Sequence, residues 1–454
     1  MYKKLLLVIL ALCLCLDFPQ SIAYAESKLL HIYGKEASGD FENDYLRQSN
    51  VDFRWYGVDV ANDNSAQSMA FQIQTNNDCF DLYEVGYAYC GLETLQSKGF
   101  CYNMSVYQSL IDIVDDMYPY LSEAVHKDGE LFAMPISVST SGWAYSKQVL
   151  ESVGLDTQNL PTTYEDFLCL IDWWIKEGYA QNEDYSLFLG VESSRSYLIN
   201  TVINSYINYC TTYGVPIDMT DPVIYSILSK IDEIDTDELD RQINEASLYQ
   251  SASSKALFLL NYNYSDLSSD RNAVIVPIHF GMAEEDIFYL VDINCFAINP
   301  NSDNIDMASE YIRTFYMNMD AEERISLFSD SSIVSVENPN YRNEIQENEQ
   351  QRESVTMQYA SDSVLLEDAL HELDEGKKLI EENRWLITEE EVLSYRHFTE
   401  RLKVRKQNIL ERNSSSGTLE IVGLISQYSS RTITLEQFAQ KSNQVISMIL
   451  GEGN

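Results

Sequence analysis

The chain is 454 residues long and carries 71 Asp and Glu against 30 Lys and Arg, a formal charge of −41. A surface of that sign repels phosphate backbones and anionic lipid, which leaves a nucleic-acid-binding role close to excluded. A hydrophobic fraction of 45% with 31 Tyr excludes a disordered chain, and the length predicts two domains or lobes rather than one.

The first residues read as a secretory leader. Lys3 and Lys4 form a positive start, residues 5–16 a short apolar stretch, and Ala23-Tyr24-Ala25 a small-x-small cleavage signal, so residues 1–25 are predicted to be removed and the mature chain to be secreted, beginning at Glu26. The apolar run is too short to span a membrane comfortably. Cys13 and Cys15 each follow Leu, where a lipid-attachment signal wants a small residue, and this argues against lipidation. Six cysteines remain: Cys79, Cys90, Cys101, Cys169, Cys210 and Cys295. None has metal-ligand spacing; Cys79 and Cys90 could bridge in an oxidising compartment, but buried free thiols are the favoured reading.

From residue 28 short β-like runs alternate with helical stretches, as in an α/β fold. Strands are predicted at 29–33, 51–56, 81–85, 130–135 and 141–145, and a helix at 67–74. The Pro161-Thr162-Thr163-Tyr164-Glu165-Asp166-Phe167 segment starts a helix, since Thr can cap and Glu and Asp suit the positive end of the dipole. That helix carries Trp173 and Trp174, one of them expected in the core. Further strands are predicted at 187–191, 256–261, 274–277 and 288–298, with a helix at 197–209. Beyond Asp306 the chain reads as almost wholly helical, with a charged amphipathic block at 363–412, a loop at 413–417 and a last helix capped at Thr434 and running toward Leu450.

The order of these motifs resembles the extracellular solute-binding proteins of family 1, with their maltose-binding-protein-like two-lobe fold. The strongest local match is DGELFAMPISVSTSGWAYSK, Asp128 to Lys147, against that family's "DGKLYGLP", polar crossing segment and "YNK". Asp81 to Val85 is similar to its "DVY" strand, Gly154-Leu155 with Pro161 to Phe167 to its "aGl…P.TwdEf" segment, and Thr432 to Leu450 to its "ITLEEF" terminal helix. The resemblance implies an α/β, periplasmic-binding-protein type 2 fold with discontinuous lobes and a helical C-terminal part. Residues 26–137 and 292–335 would form lobe 1, residues 138–291 lobe 2, and 336–454 a helical part mostly in lobe 2. Crossings between lobes are expected at 137–141 and 291–296.

The same resemblance implies an extracytoplasmic receptor that closes on a small, sugar-like ligand and hands it to the permease subunits of an ABC importer, acting as a monomer without metal or cofactor. A sugar needs aromatic rings for its C–H faces and fixed polar groups for its hydroxyls. The loops placed at the cleft offer Tyr87, Tyr89, Trp143, Arg195, Tyr197, Tyr262, Asn263, Tyr264 and Asp292. For Arg195 an ordinary ion pair, and for Asp292 a hinge-capping role, remain open beside ligand contact. A secreted hydrolase is the alternative from another class, but GxSxG and HExxH are absent and the five His are scattered. A receptor serving a sensor instead of a transporter is the other.

Overall fold

The computed structural model describes residues 29–34, 52–57, 80–88, 91–139, 142–156, 160–188, 191–249, 255–262, 273–275, 278–281, 289–329, 332–361, 363–411 and 416–452. The leader, the helix predicted at 67–74, and Cys79 and Cys90 lie outside the described residues.

The chain opens with parallel strands β1 (Leu29–Gly34), β2 (Asp52–Gly57) and β3 (Leu82–Gly86), β1 lying between the other two. Leu30, Ile32, Leu82 and Val85 point from them into a dry core. Helices α1 (Leu92–Ser97), α2 (Gln108–Asp115) and α3 (Pro119–Val125) follow, α3 starting on a proline whose missing N–H a first helical position does not need. Strands β4 (His126–Lys127) and β5 (Glu130–Leu131) then make a tight hairpin. Its turn is Asp128-Gly129, both with positive φ, the conformation for which Asp-Gly is favoured. β6 (Met134–Ser139) ends this first stretch.

A second group begins with β7 (Gly142–Ser146) and α4 (Lys147–Ser152), whose start is capped by the Ser146 hydroxyl accepting from Val149 N–H. In α5 (Tyr164–Trp173) the Thr163 side chain accepts from Asp166 N–H, the cap expected from the sequence. α5 continues through a π turn at Trp174–Gly178 into a final turn at Tyr179–Gln181. A Cβ on Gly178 would stand 2.9 Å from the Trp173 ring, so the tight turn needs glycine. Trp174 is fully buried and Trp173 only partly, so one tryptophan of the pair is core. α6 (Ser194–Tyr213), α7 (Pro222–Glu233) and α8 (Thr236–Tyr249) come next, then β8 (Phe258–Tyr262) and β9 (Ala273–Ile275), which flank β7 in an antiparallel sheet. Phe258 sits at the middle of this group, its ring 4.6 Å from Tyr145, 5.0 Å from Phe167 and 5.4 Å from Phe188.

The chain then returns to the first sheet as β10 (Tyr289–Ile298), antiparallel to both β3 and β6. Its sequence YLVDINCFAI explains the placement. Val291, Ile293 and Cys295 alternate inward, and from Cys295 to Ile298 every residue is buried, as befits a strand entering the middle of a covered sheet. After it come α9 (Ile305–Met317), α10 (Ala321–Leu327), β11 (Val336–Glu337), α11 (Tyr341–Gln358), α12 (Ser363–Glu382), β12 (Trp385–Ile387), α13 (Glu389–Thr399) and β13 (Leu402–Val404). β13 pairs in parallel with the start of β10. Two last helices, α14 (Ser416–Ser429) and α15 (Leu435–Glu452), pack against the second group.

Two separate buried cores result. The first gathers β1, β3, α1–α3, β6, β10, α9 and α10, with Ile387, Val392, Tyr395, Leu402 and Val404; the second gathers residues from Tyr145 to Phe258, with Ile409 to Ile449. Three expectations change. Residues 385–404, with Val336, lie with the first core, not the second, because β13 adds to β10 and α13 buries Val392 and Tyr395 there. The return crossing falls before β10, between Gly281 and Tyr289, because 291–296 is already sheet. Of the strand predicted at 187–191, Leu187 and Phe188 are not in a strand, Ser186 forms an isolated bridge with Ala256, and residues 189–190 lie outside the described residues. Cys101, Cys210 and Cys295 are buried and Cys169 is exposed. Among the described residues no helix is long and apolar enough to cross a membrane.

Candidate ligand cleft and its hinges

The segments that pass between the cores define where a ligand could be gripped. The first lies between Ser139 and Gly142, the second between Gly281 and Tyr289, and a third, which the expected lobe assignment places near residue 336, from Val404 to Ile409. The first and third converge on β10. Ser139 is in register with Asp292, Asn294 donates from Nδ2 to Ser137 Oγ at 3.2 Å, and Arg405 N–H donates to Val291 O at 2.9 Å.

Asp292 therefore lies where the first and third of these segments meet β10. Its Oδ1 accepts from Arg405 Nε at 3.0 Å and from Nη2 at 2.7 Å, while Arg405 Nη1 donates to Glu411 Oε1. The Arg405 side chain is 7% exposed, Asp292 18% and Glu411 16%, so the trio is nearly dry. Burial pushes the Asp292 carboxyl above its ordinary pKa, with Arg405 pulling the other way. The guanidinium loses by burial but is held above its ordinary value by the two carboxylates. Both contacts of Arg405 with Asp292 fall on the same oxygen, Oδ1.

Tyr87 follows β3, and its N–H donates to Ile293 O at 2.8 Å, which fixes the loop to the same strand. The ring is buried in the first core, and burial together with a hydrogen bond to Glu93 pushes its hydroxyl pKa well up. Glu93 in turn pairs with Lys406 Nζ at 2.9 Å. The same loop turns at Gly91 with φ +61°, where a Cβ would lie 2.5 Å from Gln407 Oε1. Both the left-handed backbone and the close approach require glycine there.

The other sequence candidates divide. Arg195 is corrected. It lies inside the second core, where Nη2 pairs with Asp232 at 2.6 Å, Nε donates to Ser429 O at 3.0 Å, and the guanidinium stacks 5.2 Å over the Tyr428 ring. Its charge thus serves the carboxyl end of α14, where a cation suits the helix dipole. Tyr197 is half-buried on α6, its ring 5.9 Å from Phe188 and packed on the second core. Trp143 lies on β7 and Tyr262 on β8, Tyr262 facing Gly142 in the register beside the first crossing; their side chains are outside what is described. Tyr89, Asn263 and Tyr264 lie outside the described residues. Sequence reasoning missed Glu93, Arg405, Lys406 and Glu411. The alternating Leu402-Lys403-Val404-Arg405 was the available strand signal, hidden by the charged helical block around it.

No protein-family model matches the sequence, and no curated protein matches it. Solved structures do match in shape. An ABC substrate-binding protein of Listeria monocytogenes in complex with cycloalternan shares 13% identity at a TM-score of 0.54, covering 94% of this chain and 100% of that one. An ABC transporter solute-binding protein of Agrobacterium vitis with bound D-mannitol shares 13% at 0.51, over 94% and 99%. A sugar transporter structure from Rhizobium etli in an open conformation shares 13% at 0.54, over 92% and 99%. The fold is that of the two-lobe solute-binding proteins. The two buried cores correspond to the two lobes of that fold.

Proposed function

We propose that the protein is a secreted, non-enzymatic solute receptor that closes its two lobes on a sugar or polyol and presents it to the permease subunits of an ABC importer. The observation that carries this reading is mechanical: two separately buried cores, between which the chain passes three times, in a fold whose solved examples hold D-mannitol and cycloalternan. Such a joint lets two rigid bodies turn about a few residues, and a ligand touched by both bodies favours the closed arrangement. Trp143 and Tyr262, on neighbouring strands beside the first crossing, are the aromatic surfaces assigned to the sugar's C–H faces, with Tyr89, Asn263 and Tyr264 as the further candidates from the sequence. The protein works as a monomer in this reading.

A thermal-shift screen over hexitols, monosaccharides and oligosaccharides, with polyamines and peptides as alternatives, tests the assignment. A true ligand at a hundredfold its Kd should add about 2.7 kcal/mol of stability. Trp143→Ala should abolish that shift while circular dichroism stays native; a retained shift removes Trp143 from the site. A screen in which only peptides or polyamines bind would overturn the sugar class, and release of new products from a bound sugar would make the protein an enzyme.

A further inference from the structure

We infer that Arg405 is an ionic pivot whose pairing with Asp292 and Glu411 sets the balance between open and closed lobes; the inference rests on the clamp reading above. The third crossing changes allegiance in the space of two residues. Arg405 N–H is bonded to β10, Lys406 is paired with Glu93, and Gln407 lies against Gly91, all in the first lobe. Asn408 donates to Asn208 Oδ1 on α6, Ile409 is buried in the second core, and the Ile409 carbonyl accepts from Thr418 at the start of α14. The mechanical joint is therefore the Gln407–Asn408 link.

The Arg405 side chain reaches across that joint. One edge of its guanidinium holds Asp292 in the first lobe's central strand, and Nη1 holds Glu411, which folds back to accept from Asn408 N–H at 3.0 Å in the second lobe's chain. Rotation at 407–408 moves Glu411 relative to Asp292, and a single planar cation can serve both carboxylates only over a narrow range of angles. In so dry a setting the loss of either contact, or the approach of two carboxylates without the cation between them, is felt strongly. The trio thus favours particular lobe angles without touching the ligand.

A pivot has a signature that a ligand contact lacks. Changing the population of the binding-competent state multiplies every ligand's Kd by one factor. In Glu411→Gln and Arg405→Met, the affinities for two chemically different ligands from the screen, read by tryptophan fluorescence, should move by the same factor, between about 5- and 150-fold. Unequal factors would make these residues part of the specificity site and overturn the pivot. Independently of any ligand, pulsed electron resonance between spin labels on non-natural residues at the exposed Val106 and Val223, one on each lobe, should show a shifted distance distribution in both variants. An unchanged distribution in the folded variants overturns the inference even if sugars bind. A shifted distribution with no sugar bound sustains the pivot while the functional reading fails. Should Arg405→Met not fold, Glu411→Gln, which keeps the Asp292 pair, decides alone.

Discussion

At the scale of single residues, Arg195 shows how a chemical type can fit two roles until its neighbours are known. An arginine beside a helix start, among loops assigned to a cleft, looks like a clamp for ligand hydroxyls. Packed, it rivets α6 to the ends of α7 and α14 through Asp232, Tyr428 and Ser429. Asp232 is 37% exposed, so the ion pair itself contributes little; the greater loss on substitution is the donor to the Ser429 carbonyl and the packing of the guanidinium on Tyr428. Arg195→Met is expected to lower unfolding stability in denaturant by about 2–4 kcal/mol and to leave ligand affinity of the folded protein unchanged. A tenfold loss of affinity at unaltered stability would return Arg195 to the cleft.

At the scale of elements, the charged block read from sequence as one helical run is several pieces with different duties. α11 and α12 lie against each other, and among the described residues Asn348 is the one buried side chain they contribute, donating from Nδ2 to Leu373 O at 3.1 Å. Their base closes without them. Val336 pairs with Ile387, Asn338 N–H donates to Arg384 O at 2.8 Å, and Arg384 Nε meets Glu337 at 3.1 Å. Replacing residues 340–383 by an Asn-Gly turn is therefore expected to change stability by no more than about 1 kcal/mol and to leave sugar affinity intact. Calorimetry and the binding screen check this; a loss of several kcal/mol would make the helical pair part of the first lobe's core. α13 and β13 behave differently. Their apolar faces are spent on β10, which draws the segment to the first lobe.

For the whole molecule, the expected consequence of two cores on three crossings is closure by rotation. Small-angle scattering should show a smaller radius of gyration when a ligand from the screen is saturating, with no change in mass. An unchanged radius with ligand bound would mean that binding does not draw the lobes together. Three covalent links between the lobes confine the rotation more closely than two would.

The sequence by itself determined the local elements, because they obey short-range rules. Thr163 caps α5, Asp128-Gly129 turns the β4–β5 hairpin, and the alternation in β10 marks a strand with one covered face. It also determined the two-lobe fold class, through an ordered set of short motifs. Tertiary structure alone decided which core residues 385–404 join, where the return crossing lies, and that Arg195 packs against Tyr428 and Asp232 while Arg405 pairs with Asp292. Those outcomes depend on strand pairing and burial between segments more than a hundred residues apart, Asp292 with Arg405 and Arg195 with Ser429 among them. No local periodicity records a partner at that distance.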